Sequence, residues 1–259
     1  MSLRVALVQT DIAWHDRAAN LTRAEAQVRA AVAQGAQLVV FPEMFACGFT
    51  MDEAHAESEG GPTEAWTTAM AQAHELHVIV GIPQRAAEAS TPRNVALLAR
   101  PDGTVARYAK THLFSFSDEN QHYAAGDEVV TWDIAGARIT PLLCYDLRFP
   151  EPFRLAADDT DAFIVIASWP ERRAMHWQTL LRARAIENQA WVLGVNRIGA
   201  GGGLNYRGDT SAIDPWGEIT ATLAHQAGLV VVHVDPVGVR AARAAFPPLR
   251  DRRNDLRRG

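Results

Sequence analysis

The chain has 259 residues, of which 48% are apolar and 21% charged, and its formal net charge is −5. This composition is ordinary for a soluble protein with one substantial core, and the scattered basic residues offer no electrostatic footprint for a nucleic acid. The longest apolar runs, such as Ala162 to Ala167, are much shorter than the roughly 20 residues that cross a bilayer. We therefore expect neither a nucleic-acid partner nor a membrane-spanning helix.

The apolar run after Met1 is too short for the hydrophobic region of a signal peptide and leads directly into Asp11, so we expect a cytoplasmic protein. Cys47 and Cys144 are the only cysteines, which excludes a disulfide framework and disfavours a zinc site built on paired thiolates. Because no Ser-rich, Pro-rich or charge-rich linker separates the apolar runs, the sequence predicts a single domain over residues 1–259.

The first part of the chain alternates between strand and helix patterns. Leu3 to Gln9 and Leu38 to Phe41 are aliphatic runs without a polar face, which is typical of strands covered on both sides. Between them, apolar residues from Leu21 to Val32 follow helical spacing, and Gly35 ends that helix. Glu43 comes just after the second strand.

A predicted hairpin then leads to Lys110. Its strands are Asn94 to Ala99 and Val105 to Tyr108, and the Pro, Asp and Gly residues between them suit a tight turn. The other elements predicted up to residue 128 are a helix over Pro62 to Leu76, a strand over Val78 to Ile82 and a polar loop over Thr111 to Glu128.

The second part of the chain places Cys144 directly after a strand over Arg138 to Leu143. Because Pro141 lacks an N–H, this strand should be bulged or bordered by an unpaired neighbour. The alternation of elements predicts an α/β protein with two sheets packed face to face, a four-layer α-β-β-α sandwich. The remaining predicted strands are Val129 to Ile134, Ala162 to Ala167, Trp191 to Val195, Thr210 to Ile213, Ile219 to Thr222 and Leu229 to Val234, and the remaining helices are Phe153 to Ala157 and Arg173 to Gln189.

Glu43, Lys110 and Cys144 thus each follow a predicted strand. Loops at the carboxyl ends of strands form the usual crevice of α/β sheets, so the three side chains could meet there. Taken singly, each has an ordinary structural explanation, because a lone cysteine is more often a small core residue than a nucleophile. The three contexts together are more informative.

These contexts resemble the nitrilase superfamily of carbon–nitrogen hydrolases, whose Glu-Lys-Cys triad occurs in the same order. Within it the chain is most similar to the omega-amidases, and the match extends over nearly the whole chain. The matching runs are Phe41-Pro42-Glu43-Met44-Phe45, Lys110-Thr111-His112-Leu113-Phe114, Cys144-Tyr145-Asp146-Leu147-Arg148-Phe149-Pro150-Glu151, Ser168-Trp169-Pro170, His176-Trp177 and Ala183-Arg184-Ala185-Ile186-Glu187-Asn188-Gln189.

The resemblance implies that Cys144 is the nucleophile, Glu43 the general base and Lys110 the cation that stabilises the transition state together with the backbone N–H of Tyr145. A thiol with a pKa of about 8.5 is mostly protonated at neutral pH, so its attack on an amide needs such a base. The reaction would pass through a thioester and release ammonia, with no cofactor and no metal. The family also implies a homodimer.

Glu119 occupies the place where the family carries a second, supporting glutamate, and Glu128 is the alternative. A second carboxylate there could bind Lys110 and orient the substrate amide.

The omega-amidase likeness implies a small-molecule substrate, a short dicarboxylic acid monoamide such as 2-oxoglutaramate or 2-oxosuccinamate. Arg173 is the candidate for binding its far carboxylate, although Arg172 and Arg173 could equally form the exposed first turn of a helix. Phe116, Trp169 and Trp177 are candidates for shaping the pocket.

Several alternatives share parts of this pattern. An aliphatic amidase, an N-carbamoyl amine hydrolase or a nitrilase would use the same triad with a different pocket. A metallohydrolase would use Glu43, His112 and Asp146 as ligands, but the chain has no tight ligand motif such as His-Glu-x-x-His. A non-catalytic binding module is disfavoured because all three triad positions are filled.

Three other residues near these motifs are expected to have structural roles. Cys47 is expected to be a packed thiol, and Arg148 and Glu151 are expected to form an ion pair.

Overall fold

Two β-sheets form the centre of the protein, in the computed structural model that describes residues 2–253. The helices are α1 (Arg17–Ala33), α2 (Pro62–Ala73), α3 (Glu119–His122), α4 (Pro150–Ala156), α5 (Ala174–Asn188) and α6 (Pro236–Ala245). The strands are β1 (Leu3–Gln9), β2 (Leu38–Val40), β3 (Glu57–Ser58), β4 (His77–Arg85), β5 (Arg93–Ala99), β6 (Val105–Ala109), β7 (Trp132–Ile134), β8 (Ala137–Leu143), β9 (Ala162–Ala167), β10 (Trp191–Asn196), β11 (Ile198–Gly201), β12 (Leu204–Ile213), β13 (Ile219–Ala224) and β14 (Gly228–Val234).

The first sheet has the strand order β14-β1-β2-β4-β5-β6, with the short β3 beside β4. Strand β1 of this sheet shows why the sequence from Leu3 to Gln9 does not alternate between apolar and polar residues. Val5 and Leu7 belong to the core shared with the second sheet, whereas Ala6 and Val8 pack with apolar residues of α1 and α2. Since both faces of the strand are covered, both must be apolar.

The second sheet has the order β11-β12-β10-β9-β8-β7, with β13 beside β12. Helices α4 and α5 cover its outer face through Phe153, Trp177 and Leu181, which are buried in the same core as the strands β8, β9 and β10. The four-layer α-β-β-α sandwich predicted from the sequence is therefore confirmed. No helix within residues 2–253 is long and apolar enough to cross a membrane.

Several segments differ from the sequence prediction, which included neither helix α6 nor the strands β3 and β11 and ended β4 at Ile82. β7 begins at Trp132 and not at Val129, because its ladder with β8 starts at the pair Trp132 and Ile139. β12 begins at Leu204 and not at Thr210, because its first residues pair with β11 in a hairpin. The predicted polar loop before β7 contains the one-turn helix α3.

Pro141 in β8 lies where the sequence predicted an unpaired neighbour. On one side β8 pairs with β9 past Pro141, up to Leu143. On the other side the β7 ladder extends only to Ile139, two residues before the proline. The missing N–H therefore costs β8 no hydrogen bond with β7.

Candidate active site

Glu43 lies three residues beyond β2, is fully buried, and has hydrogen-bond donors on both carboxylate oxygens. Oε1 accepts from Lys110 Nζ at 2.9 Å, and Oε2 accepts from the backbone N–H of Ser168 at 2.9 Å. The backbone here passes so close to β4 that a Cβ at Gly81 would lie 2.5 Å from the Glu43 Cα. Only glycine fits at that position, so β4 helps to fix the carboxylate in place.

Lys110 leaves the end of β6 and is fully buried between two carboxylates. Its Nζ lies 2.9 Å from Glu43 Oε1 and 2.9 Å from Glu119 Oε2. Burial lowers the pKa of Lys110, but the charges of Glu119 and Glu43 outweigh that effect and raise the pKa above its usual value. The side chain is therefore an ammonium over the whole working pH range.

Glu119 is the first residue of α3 and is the glutamate that reaches Lys110. Its Oε2 also accepts the backbone N–H of Phe114 at 2.6 Å, which connects the carboxylate to the loop after Lys110. Glu128, the alternative, is exposed.

Asn94 is a site residue that the sequence reasoning missed. It is fully buried in β5, and its Nδ2 donates to Glu43 Oε1 and to Glu119 Oε1, each at 2.8 Å. The amide thus holds the two carboxylates beside each other and beside Lys110. The sequence feature that could have identified Asn94 is its uncharged polar side chain at the start of an otherwise aliphatic strand.

Cys144 follows β8 directly and begins a 3-10 turn, Cys144–Arg148, with a left-handed φ of 42°. Non-glycine residues rarely adopt this conformation, and those that do are concentrated at functional sites. The side chain is half-buried and lines a cavity. Burial raises the pKa of the Cys144 thiol well above its usual value, the charge of Glu43 raises it further, and the Lys110 ammonium opposes both.

Asp146 connects the turn after β8 to the loop after β6, a role that the sequence did not reveal. Its Oδ2 accepts from the Leu143 N–H at 2.9 Å and from the Tyr108 hydroxyl at 2.8 Å. Its Oδ1 accepts from the Thr111 hydroxyl and from the backbone N–H of His112, both at 2.9 Å. The position of Cys144 relative to Lys110 is therefore set by one fully buried carboxylate.

The three ligands considered for a metallohydrolase are divided between two hydrogen-bond networks. His112 Nδ1 lies 2.9 Å from Asp146 Oδ1, but Glu43 is bonded to Lys110 and Asn94. Among the residues that the structure describes, the side chains close enough to share a metal ion are those of His15, Asp52 and His55. These three lie outside the triad, and the two imidazoles are packed against each other with centroids 3.7 Å apart.

A cavity of about 410 Å³ opens in front of Cys144. Four residues predicted from the sequence to contact substrate line it, namely Tyr145, Arg173, Phe116 and Trp169. Phe116 is 78% exposed at the rim, while Trp169 is buried and donates its indole N–H to the Arg173 carbonyl at 2.8 Å. The other lining residues are Trp14, Phe49, Thr50, Met51, Phe114, Ser117, Arg148, Ser168, Pro170, Arg172, Gly202, Leu204 and Tyr206.

One wall of the cavity carries three guanidinium groups, those of Arg148, Arg172 and Arg173. Arg173 is half-buried above the Phe114 ring, 5.3 Å from its centroid. Burial lowers the pKa of Arg173, and the positive charges of Arg172 and Arg148 lower it further. Within residues 2–253 none of the three forms a salt bridge with a carboxylate.

Two smaller predictions were wrong. Trp177 does not line the cavity, because it is fully buried under β12 and donates its indole N–H to the Asp209 carbonyl at 2.8 Å. Arg148 does not pair with Glu151 but lies over the Trp169 ring, 4.7 Å from its centroid. Cys47 is a packed thiol, as expected, and burial raises its pKa to about 12.

The carbon–nitrogen hydrolase family model matches residues 4–244. The chain is 41% identical over 251 residues to the omega-amidase YafV of Escherichia coli strain K12, a match that covers 96% of each chain. It is 30% identical over 261 residues to a 2-oxoglutaramate amidase of Bacillus subtilis strain 168, covering 99% of this chain and 100% of that one.

The fold is also similar to that of XC1258 from Xanthomonas campestris, whose crystal structure is described as a CN-hydrolase superfamily protein with an arsenic adduct in the active site. The TM-score is 0.93 at 36% identity, and the match covers 100% of both chains. By sequence, by fold and by these relatives, the chain belongs to the carbon–nitrogen hydrolase family of the nitrilase superfamily, and it is a hydrolase of carbon–nitrogen bonds.

Proposed function

We propose that this enzyme is an omega-amidase, which hydrolyses the terminal amide of short dicarboxylic acid monoamides such as 2-oxoglutaramate and 2-oxosuccinamate. The observation that carries the proposal is the cavity in front of Cys144, whose guanidinium groups have no carboxylate partner in the part of the chain that the structure describes. A substrate with an amide at one end and a carboxylate at the other fits both features. The relatives named as omega-amidase and 2-oxoglutaramate amidase support the same substrate class.

In the first half-reaction Glu43 accepts the thiol proton while Cys144 Sγ attacks the amide carbonyl carbon. Negative charge develops on the carbonyl oxygen, where the Lys110 ammonium and the Tyr145 backbone N–H stabilise it. Glu43 then gives its proton to the amide nitrogen, the carbon–nitrogen bond breaks, and ammonia leaves. The product that stays behind is a thioester on Cys144.

In the second half-reaction Glu43 takes a proton from water as the water oxygen attacks the thioester carbonyl. The carbon–sulfur bond breaks, the dicarboxylic acid leaves, and the proton returns to the Cys144 sulfur. One carboxylate therefore serves both half-reactions, and side chains of this chain carry every proton. Glu119 and Asn94 act by holding Lys110 and Glu43 in place.

Arg173 is the residue that we assign to the far carboxylate of the substrate. Arg173 and Arg148 are both half-buried, whereas Arg172 is exposed, and Trp169 fixes the backbone of Arg173 through a hydrogen bond to its carbonyl. A carboxylate there would relieve the repulsion among the three cations. A neutral amide would leave the cations unmatched, and such a mismatch is how a polar site rejects a substrate of similar size.

Ammonia release from a panel of substrates tests this proposal. The panel contains 2-oxoglutaramate, 2-oxosuccinamate, propionamide, a nitrile and an N-carbamoyl amine, and the highest kcat/KM should belong to the two acid amides. Arg173→Ala should raise the KM for 2-oxoglutaramate by about 10-fold to 100-fold, as expected for a lost charged hydrogen bond. The matched control Arg172→Ala should raise it much less.

If the wild type hydrolyses propionamide as efficiently as 2-oxoglutaramate, the omega-amidase proposal fails, although the family assignment stands. The same holds if the nitrile or the N-carbamoyl amine is the preferred substrate.

We also propose that the enzyme is a cytoplasmic homodimer, as the family resemblance implies. Large apolar side chains on α4 and α5 support a subunit contact, because Leu155 is 77% exposed, Met175 71% and Ile186 51%. Light scattering coupled to size-exclusion chromatography measures the mass directly. A monomer at all concentrations would contradict this part of the proposal.

A further inference from the structure

Tyr206 on β12 lines the cavity, and the proposed mechanism gives it no role. The residue is only 4% exposed, and its ring lies against the buried guanidinium of Arg197, 4.4 Å from the ring centroid. Arg197 is itself fixed by the backbone carbonyls of Ile12 and Ala200 at 3.1 and 3.0 Å. The phenol ring is therefore held in one position by packing and by a cation–π contact.

The Tyr206 hydroxyl has no hydrogen-bond partner among the residues that the structure describes, and it is not sealed away from the cavity. A tyrosine hydroxyl on a buried ring normally finds a partner. A donor that is rigidly held, faces a cavity and lacks a protein acceptor is what a site presents to a ligand.

The Tyr206 hydroxyl is uncharged at physiological pH. Burial raises the pKa of Tyr206 to about 12, and the charges of Cys144 and Glu43 raise it while those of Arg197 and Arg173 lower it. Tyr206 is thus a neutral donor at physiological pH. Tyr206 lines the same cavity as Cys144 and Arg173, so its hydroxyl can contact a molecule held between the nucleophile and the proposed carboxylate site.

We propose that the Tyr206 hydroxyl donates a hydrogen bond to the 2-oxo oxygen of the substrate and thereby selects 2-oxo acid amides over simple acid amides. This inference rests on the proposed function and deepens it. The terminal amide is held at Cys144 and the carboxylate at Arg173, so the group that remains for a neutral donor is the uncharged carbonyl beside the carboxylate. Tyr206 is a specificity residue in this assignment, and it takes no part in proton transfer.

The test compares wild type and Tyr206→Phe on 2-oxoglutaramate and on glutaramate, which has the same length but lacks the 2-oxo group. The variant keeps the ring over Arg197 and removes one oxygen. The KM for 2-oxoglutaramate should rise about five-fold to ten-fold, the size expected for one neutral hydrogen bond, with kcat changed by less than about two-fold. The KM for glutaramate should rise several-fold less.

Tyr123→Phe is the matched control, because the Tyr123 hydroxyl donates to the Thr50 carbonyl at 2.9 Å and does not line the cavity. It should change the KM values of the two substrates by the same factor. Thermal unfolding of both variants checks that the fold is retained.

Two results would overturn the Tyr206 assignment while the omega-amidase proposal stands. One is an unchanged preference for 2-oxoglutaramate over glutaramate in Tyr206→Phe. The other is an equal fall of kcat on both substrates, which would place the hydroxyl at the reacting amide. A wild type that does not prefer 2-oxoglutaramate to propionamide would overturn both proposals together.

Discussion

At the scale of single residues, the buried cluster around Lys110 has one carboxylate more than it has ammonium groups. Glu43 and Glu119 both contact Lys110 Nζ, and Asn94 bridges the two acids. The charges of both glutamates raise the pKa of the Cys144 thiol. The thiol is therefore protonated at rest, and in the proposed mechanism its proton moves to Glu43 during the attack on the substrate.

The two glutamates can be separated by isosteric substitution, because only Glu43 exchanges protons in the proposed mechanism. Glu43→Gln should lower kcat by about 10³-fold or more, since it removes the base from both half-reactions. Glu119→Gln should lower kcat by about 10-fold to 100-fold, because it keeps the shape but removes a charge that holds Lys110. Steady-state ammonia release measures both, with circular dichroism as the check on folding. Equal losses in the two variants would contradict the division of roles.

The triad positions were predicted through the resemblance to the nitrilase superfamily, and each member also stands just beyond a strand, where α/β proteins place reactive groups. Asn94 and Ser168 could not be assigned in the same way. Asn94 reaches Glu43 only because β5 pairs with β4, and the Ser168 N–H reaches Glu43 only because β9 ends opposite β2 across the two sheets. These contacts depend on sheet order and on sheet packing, which local patterns do not encode.

At the scale of elements, Asp146 joins two segments that are distant in sequence. One is the loop after β6, which carries Lys110, and the other is the turn after β8, which carries Cys144. All four donors to this carboxylate are buried or half-buried, so each would lose free energy if it were left unpaired.

Asp146→Asn should therefore destabilise the fold and displace the nucleophile together. The new amide presents an NH₂ group to donors that need an acceptor, so the free energy of unfolding should fall by about 1–3 kcal/mol. Because the turn after β8 moves, kcat should fall as well. Tyr108→Phe is the control, since it removes one donor and leaves the carboxylate intact, and its losses should be smaller. Urea unfolding gives the free energy of unfolding of both variants, and kcat is measured on each of them. Wild-type values of both quantities in Asp146→Asn would contradict the positioning role.

Strands with strong apolar patterns, such as β1 and β9, were predicted to the residue, and the helix α5 was predicted to within one residue at each end. Two of the errors fell where the pattern was weak, whereas the helix α6 went unpredicted for another reason, since its sequence is amphipathic. The β11–β12 hairpin surrounds a glycine-rich turn whose residues have low strand propensity, and α3 is a single turn that is stabilised by the burial of Glu119 against Lys110. Tertiary contacts determine both segments.

At the scale of the whole molecule, the site is assembled from both sheets. Asn94 lies in the first sheet, and Glu43 and Lys110 follow strands of that sheet. Cys144 and Ser168 follow strands of the second sheet. The N–H of Ser168 donates to Glu43 Oε2, and the Ser168 hydroxyl donates to the Glu43 carbonyl at 3.2 Å. The distance between Cys144 and Glu43, the proposed nucleophile and base, therefore depends on how the two sheets pack.

The last prediction separates packing between the sheets from packing under the helices. Leu98 and Leu97 are adjacent in β5 and fully buried, but Leu98 belongs to the core between the sheets and Leu97 to the core under α1 and α2. Each substitution to Ala should lower the free energy of unfolding by about 2–5 kcal/mol, the usual cost of a buried leucine. Only Leu98→Ala loosens the contact between the sheets that carry Glu43 and Cys144, so it should also lower kcat several-fold under conditions in which the protein remains folded. Urea unfolding followed by circular dichroism and kcat at zero urea provide the two measurements. A Leu97→Ala variant that loses as much kcat as Leu98→Ala at equal stability would show that the geometry of the site does not depend on the interface between the sheets.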